Sequence, residues 1–298
     1  MQKTSLIYPL LMLLGAASYG LTPAFLKLGY GAGYDVADIT STQYGIAAVV
    51  IWLVTLFDWR RQRFPRRQWI RLFGIGLSVA ATSYSYYVSL TVLPASLGIV
   101  LLFQFAWIVM VIDMLATKTL PSKEKWVGMV MIIVGTILAV GLMGTPIVEF
   151  PPLWAIGLGL MSALFYALTL YISGYVGGES TPLARSAISI SISNLVLIPV
   201  FPPRYLFSGV LWDGLWLWAL LLALTAQVIP MLLMLKSIPH IGGRMAGVLG
   251  TVELPVTVFC AILILHESVS WAQLVGALLI IAGILVSEFR GLLYERLS

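Results

Sequence analysis

Charge is the scarcest commodity in this chain: only 10% of its 298 residues are Asp, Glu, Lys or Arg. A soluble domain carries roughly 25%, so a soluble fold would leave too little polar surface to cover. Cysteine is nearly absent. Cys260 stands alone, which excludes an intramolecular disulfide and a CxxC zinc site. The two histidines, His240 and His266, fall in separate loops, so no metal cluster is expected and no cofactor is implied. No Walker A loop, HExxH or GxSxG is found in a span, which argues against ATP hydrolysis by that route, intramembrane proteolysis and serine-type lipid hydrolysis. No catalytic residue is proposed. Lys and Arg are missing from the middle of every apolar run, so nothing neutralises a phosphate or a dianion there.

What the chain has instead is apolar length. Hydrophobic residues make up 60% of it and mean hydropathy is +1.00. About 20 helical residues cross a ~30 Å hydrocarbon core. Ten such runs are expected, near residues 5–28, 38–58, 70–91, 95–116, 124–143, 152–174, 183–201, 213–235, 242–265 and 271–289. Prolines such as Pro65, Pro94, Pro121, Pro182 and Pro239 punctuate the links. The first run has the small residues Gly15-Ala16-Ala17-Ser18 of a signal peptide, but continues apolar to Leu28 and reads as a retained helix.

The runs repeat. A shift of 148 positions lays Trp126-Val127-Gly128 over Leu274-Val275-Gly276, and Ile132-Ile133-Val134-Gly135 over Ile280-Ile281-Ala282-Gly283. A shift of 147 lays Tyr19-Gly20-Leu21-Thr22 over Tyr166-Ala167-Leu168-Thr169. Two units follow, 1–146 and 147–298, each with five spans. An odd count starts the second copy from the opposite side, so the expected fold is all-α, with ten transmembrane helices in two inverted five-helix repeats around a central cavity. Inverted repeats are the usual architecture of secondary transporters, with a site near the midplane exposed alternately to each side.

Basic residues set the orientation. With the N-terminus inside, fifteen of the 17 Lys and Arg residues fall on that side, among them the Arg60–Arg71 cluster, and only Lys27 and Arg204 fall outside. The positive-inside rule therefore places both termini in the cytoplasm. The net charge of +5 is a topology signal and anchors the chain on anionic lipid rather than on nucleic acid.

Glu253 lies near the middle of the ninth run and shares a helical face with Gly250 and Thr257. A mid-bilayer carboxylate costs ~2.5–3.5 kcal/mol, so it should face protein or water. It reads as a substrate or proton site, or as a protonated group bonded inside the bundle. Gln43, Gln104 and Gln227 sit at central depths, with Trp107 on the face of Gln104. Buried amides should also point inward, to line a path or to join helices. Tyr84 and Tyr87 in the third span, and the repeat-related pairs at Tyr19 and Tyr166, lie away from the span ends. They offer flat apolar area and hydroxyls that suit a zwitterion. Gly128 with Gly135, and Gly276 with Gly283, form small-residue faces for close packing, and Ser186, Ser189 and Ser193 stripe the seventh span.

The sequence Val252-Glu253-Leu254-Pro255-Val256, followed by Leu263-Ile264-Leu265-His266-Glu267, resembles the ninth-helix pattern of the drug/metabolite transporter superfamily, specifically its EamA-type exporters. Here Leu254 separates the Glu from the Pro, His266 replaces a Gly, and Ala106 and Thr119 stand near where the first repeat of that family often has Pro and Glu. The aromatic content looks most like the group's amino-acid exporters, those for aromatic amino acids included. The resemblance implies an inner-membrane carrier exporting small neutral or zwitterionic metabolites by alternating access, with Tyr84, Tyr87, Gln104 and Glu253 as the first candidates for its cavity. Efflux of amphipathic drugs is the alternative within that class. A non-transporting membrane sensor or scaffold is the alternative outside it. Proton coupling and oligomeric state stay open.

Overall fold

Lipid offers a backbone no hydrogen-bond partner, so an apolar chain of this kind must satisfy its own amides within helices. The computed structural model describes residues 6–56, 64–139, 151–174, 180–241 and 243–297, and among these the regular structure is helical throughout. In order, α1 covers Ile7–Gly31, α2 Val36–Leu56, α3 Arg66–Ser89, α4 Ala95–Leu102, α5 Phe105–Thr117, α6 Lys123–Ala139, α7 Leu153–Gly174 and α8 Pro182–Leu197. After the short α9 (Tyr205–Ser208) come α10 (Trp216–Ala223), α11 (Ile229–Ile241), α12 (Gly243–Gly250), α13 (Glu253–Leu263) and α14 (Trp271–Leu297). Five stretches, Ile7–Gly31, Val36–Leu56, Ala95–Thr117, Leu153–Ser173 and Leu211–Ile238, are long and apolar enough to cross a membrane. The expected cluster at Arg60, Arg61 and Arg63 lies outside the described residues.

The outer surface of the bundle is apolar. Val49, Phe73, Val130, Leu195, Phe259 and Leu278 are each more than half exposed, as hydrocarbon permits and water would not. Trp154, Trp212 and Trp271 are exposed at helix ends, where indoles favour the headgroup level.

Two stretches expected as continuous helices are broken in the middle. The fourth breaks at Phe103–Gln104 and the ninth at Thr251–Val252, positions 148 apart. In the ninth, Pro255 has no N–H for the Thr251 carbonyl, and the chain tightens through Leu254 N–H to Thr251 O at 3.1 Å. The fourth has no proline. There the Gln104 N–H turns to Leu101 O at 3.2 Å, and its own side-chain Nε2 donates to the vacated Val100 carbonyl at 3.1 Å. The eighth stretch runs on to Ile241 and carries π turns at Leu211–Leu215 and Leu224–Val228. The second of these precedes Pro230 and makes room for its ring.

Packing joins the first half of the chain to the second at most of its helix contacts. α6 lies along α14, α3 along α7 and α8, α1 along α11 and α13, and α2 along α8 and α10. The α6–α14 pair is antiparallel: a Cβ on Gly128 would lie 2.5 Å from Gly283 O, and one on Gly135 would lie 2.6 Å from Gly276 O. The backbones touch because these four residues have no side chain, as the spacing of the small residues predicts.

The helices define two ends. One holds the starts of α1, α3, α6 and α8 and the ends of α5, α11 and α14, and it carries Arg66, Arg67, Arg71, Lys118, Lys123, Lys125, Arg185 and Lys236. We call it the basic end, and the opposite one the far end. At the far end α13 stops in a turn where His266 adopts φ 54° and the Glu267 N–H returns to Ala261 O at 2.9 Å. A left-handed backbone is unfavourable for any residue with a Cβ. Replacing His266 with glycine is therefore expected to stabilise the fold by ~0.5–1 kcal/mol, read as a rise in Tm of purified protein in detergent.

Candidate functional site: a central cavity

The inward faces of α1, α3, α7, α8, α11 and α13 do not close on one another. They leave a cavity of about 670 Å³, within the size range of small-molecule sites. Its inner part is formed by Tyr19 and Thr22 of α1, Tyr86 and Tyr87 of α3, Tyr166 and Thr169 of α7, Gln227 and Glu253. From there it reaches the basic end past Leu72, Ser173, Arg185, Ser186 and Ile238. Toward the far end it is floored by an apolar core in which Leu26, Ile39, Leu90, Ile99, Leu215 and Leu254 are fully buried. Tyr30 donates its hydroxyl to Tyr87 O at 3.0 Å across that floor.

Glu253 is delivered by the break in the ninth stretch, which makes it the first residue of α13. α1 crosses α13 closely at this level. A Cβ on Gly20 would lie 2.8 Å from Glu253 O, and Thr257 donates its hydroxyl to Gly20 O at 3.0 Å. The Glu253 side chain borders the cavity, and Tyr19, Tyr86 and Tyr166 all lie within electrostatic reach of it. Three other lining groups have open valences. The Thr22 hydroxyl, the Tyr86 hydroxyl and Gln227 Oε1 are buried with no hydrogen-bond partner. An unmet buried polar group costs ~1–3 kcal/mol, so a cluster of them around a void marks a place where a ligand or water completes the bonding.

The expected site residues divide. Tyr19, Tyr87, Tyr166, Gln227 and Glu253 are brought together on the cavity. Gln43 stands one layer behind and donates Nε2 to the Tyr87 hydroxyl at 3.0 Å. Gln104 and Trp107 serve the break in the fourth stretch: Gln104 also donates to Thr136 and accepts from Trp107 Nε1 at 2.9 Å. Trp107 borders a separate crevice of about 340 Å³ between α5, α6, α7 and α14. Tyr84 is 38% exposed, packs at a tilt against Phe201 with ring centroids 5.6 Å apart, and is not among the cavity's lining residues. The sequence reading missed Tyr86, Tyr44 and Arg185. The signal for Tyr86 was its face: Leu72, Ile75, Val79, Thr82 and Tyr86 recur at three and four residues and all line the void. Ser186 and Ser189 line it as well, while Ser193 donates to Gly76 O at 2.8 Å and joins α8 to α3.

Helices apolar toward the outside, around a void edged with unmet polar groups, define a multi-pass membrane protein that admits a small molecule. The chain belongs to the EamA-like transporter family, whose model matches it twice, at residues 6–141 and 153–289. It is therefore a transporter and not an enzyme. It is 25% identical over 146 residues to an uncharacterized transporter of Archaeoglobus fulgidus. That match covers 49% of this chain and 51% of the relative, so it spans about half the relative's length. It is 23% identical over 286 residues to the threonine/homoserine exporter RhtA of Salmonella typhimurium, covering 94% of this chain and 91% of that protein. A solved structure described only as the crystal structure of a protein matches with a TM-score of 0.63 at 14% identity, covering 93% of this chain and 97% of that one. This last is a likeness of fold alone.

Proposed function

We propose that the protein is a secondary carrier of the inner (plasma) membrane that exports small neutral or zwitterionic metabolites, chiefly amino acids, aromatic ones included, by alternating access. The observation that carries this reading is the chemistry of the cavity's inner part. Glu253 and Gln227 Oε1 accept, as an ammonium group requires, and the free hydroxyls of Tyr86 and Thr22 can donate to a carboxylate. The tyrosine faces and Leu102, Val79 and Met231 suit an apolar body. The name of the RhtA relative agrees with an amino-acid substrate.

Ten crossings in two mirrored units, 1–146 and 147–298, supply the machinery for alternation. Several observations support the mirror. The family model matches each half. The broken helices, and the two left-handed residues Lys118 and His266, are spaced by 148 positions. The repeat-related helices α6 and α14 run antiparallel. The packing partners exchange between halves as well, with α3 on α7 answering to α11 on α1. The basic end is the cytoplasmic one on this reading, with both termini there.

A second reading, efflux of amphipathic amines, is favoured by one feature: among the described residues Glu253 is the one acidic residue lining the cavity, and the one basic residue, Arg185, lies toward the basic end. Counterflow in liposomes with amino acids, their decarboxylated amines and quaternary amines separates the two. Under the amino-acid reading Tyr86→Phe raises KM about tenfold for the amino acid, the worth of a hydrogen bond to a charged group, and leaves the matching amine unchanged. Flux of quaternary amines alone would turn the assignment to drug efflux. Binding without saturable flux would make the protein a sensor.

A further inference from the structure

At the far end a carboxylate bridges the two halves of the chain, beside the bond from the Tyr34 hydroxyl to Asp213 O at 2.7 Å. Glu267, in the link between α13 and α14, accepts from the Ala95 N–H at 2.6 Å and the Ser96 N–H at 3.1 Å. It also accepts from the Ser96 hydroxyl at 2.7 Å. These are the free amides at the start of α4, where the helix dipole favours a negative charge. Bonds to an ionised acceptor are about twice as strong as neutral ones. The left-handed turn at His266 aims the carboxylate, and Lys27 of α1 lies within its electrostatic reach.

At the basic end the same device is built without its charge. Lys118 has φ 56°, matching 54° at His266, and the two are 148 positions apart. The start of α12 at Gly243 lies 148 positions after the start of α4 at Ala95. The residue in the place of Glu267 is Thr119, which is exposed and engaged with Thr117. A neutral, short side chain cannot hold α12 as Glu267 holds α4. The cavity reaches the basic end and is floored toward the far one, in accord with that imbalance.

We infer that Glu267 is the far-side latch of the carrier, and that its unmatched charge sets the resting state with the cavity facing the basic end. The inference rests on the alternating-access reading. The far end opens only when Glu267 leaves the start of α4, and Glu267 regulates access to the site without touching substrate.

The test reads sidedness and needs no substrate. In a Cys260→Ser background, which removes the chain's single cysteine, a reporter cysteine replaces the half-buried Thr169 in the cavity. A membrane-impermeant maleimide is added from one side of oriented vesicles. Thr169→Cys should label from the basic side and be protected from the far side. Glu267→Ala should raise far-side labelling about tenfold, and Glu267→Gln by less. Thr119→Glu, which supplies the missing charge, should lower basic-side labelling. Should Glu267→Ala fail to fold, the other two variants carry the test. A folded Glu267 variant with unchanged sidedness overturns the latch, as does Thr119→Glu without effect. Switched labelling in a protein that shows no flux of any substrate supports the latch and removes the proposed transport activity, so the two failures are told apart.

Discussion

Glu253→Gln is expected to lower kcat/KM for amino-acid counterflow by about 10- to 100-fold, the loss of one charge-assisted hydrogen bond to the substrate ammonium at ~1.5–3 kcal/mol. Glutamine keeps the size of the side chain and a carbonyl acceptor, so the change isolates the charge. The same substitution should raise Tm. A carboxylate at this depth costs ~2.5–3.5 kcal/mol on insertion scales, and Tyr86, within electrostatic reach of it, leaves its hydroxyl unmet instead of bonding it. A group kept for packing would lose stability and activity together. A group kept for substrate loses activity and gains stability, because its desolvation is offset only when the ligand is present. Flux measured in liposomes and unfolding in detergent on one preparation check both signs. Unchanged flux in Glu253→Gln would take the residue out of the site.

Much of this was written in the periodicity of the chain. Apolar runs and their proline punctuation located the helices, because a membrane leaves backbone no other way to bond. The seven-residue spacing of Gly128 with Gly135, and of Gly276 with Gly283, marked two faces for close packing, since only small residues let backbones meet; that α6 and α14 turn these faces on each other is seen in the structure. What stayed hidden depends on local backbone geometry. The break at Phe103–Gln104 has no proline to announce it; it is made by an amide side chain replacing a backbone donor, and a glutamine in an apolar run looks the same whether it lines a path or mends a helix. The tyrosines of α3 show the same limit. Tyr84, Tyr86 and Tyr87 sit within one turn, and only the face carried down from Leu72 distinguishes Tyr86, on the cavity, from Tyr84, packed on Phe201. Arg185 falls near the start of the seventh run and counts in the sequence only as a basic residue setting orientation; that the first turn of α8 directs it to the void is a matter of helix rotation.

Gly276→Leu should cost most of the folded protein. A Cβ there would lie 2.8 Å from Ala139 N and closer still to Gly135 O. Both are backbone atoms, which cannot swing aside as a side chain does, so α6 and α14 must separate along their length. Overpacking commonly costs ~1–3 kcal/mol where side chains can adjust. Backbone contact along a whole helix pair puts the loss above ~4 kcal/mol, or a fall in Tm of about 10 °C. Gly157→Leu is the matched control, because a Cβ on Gly157 meets nothing within 4 Å, and it should leave Tm within a degree or two. The comparison with Gly128→Leu bears on the architecture itself. Gly128 meets Gly283 as Gly276 meets Gly135, so under a mirrored pair of units the two substitutions strike the same contact from opposite ends and should cost the same. Thermal unfolding with one variant near wild type and the other lost would mean that the contact is not symmetric. The halves would then not be related by the two-fold axis on which alternation between the two faces depends.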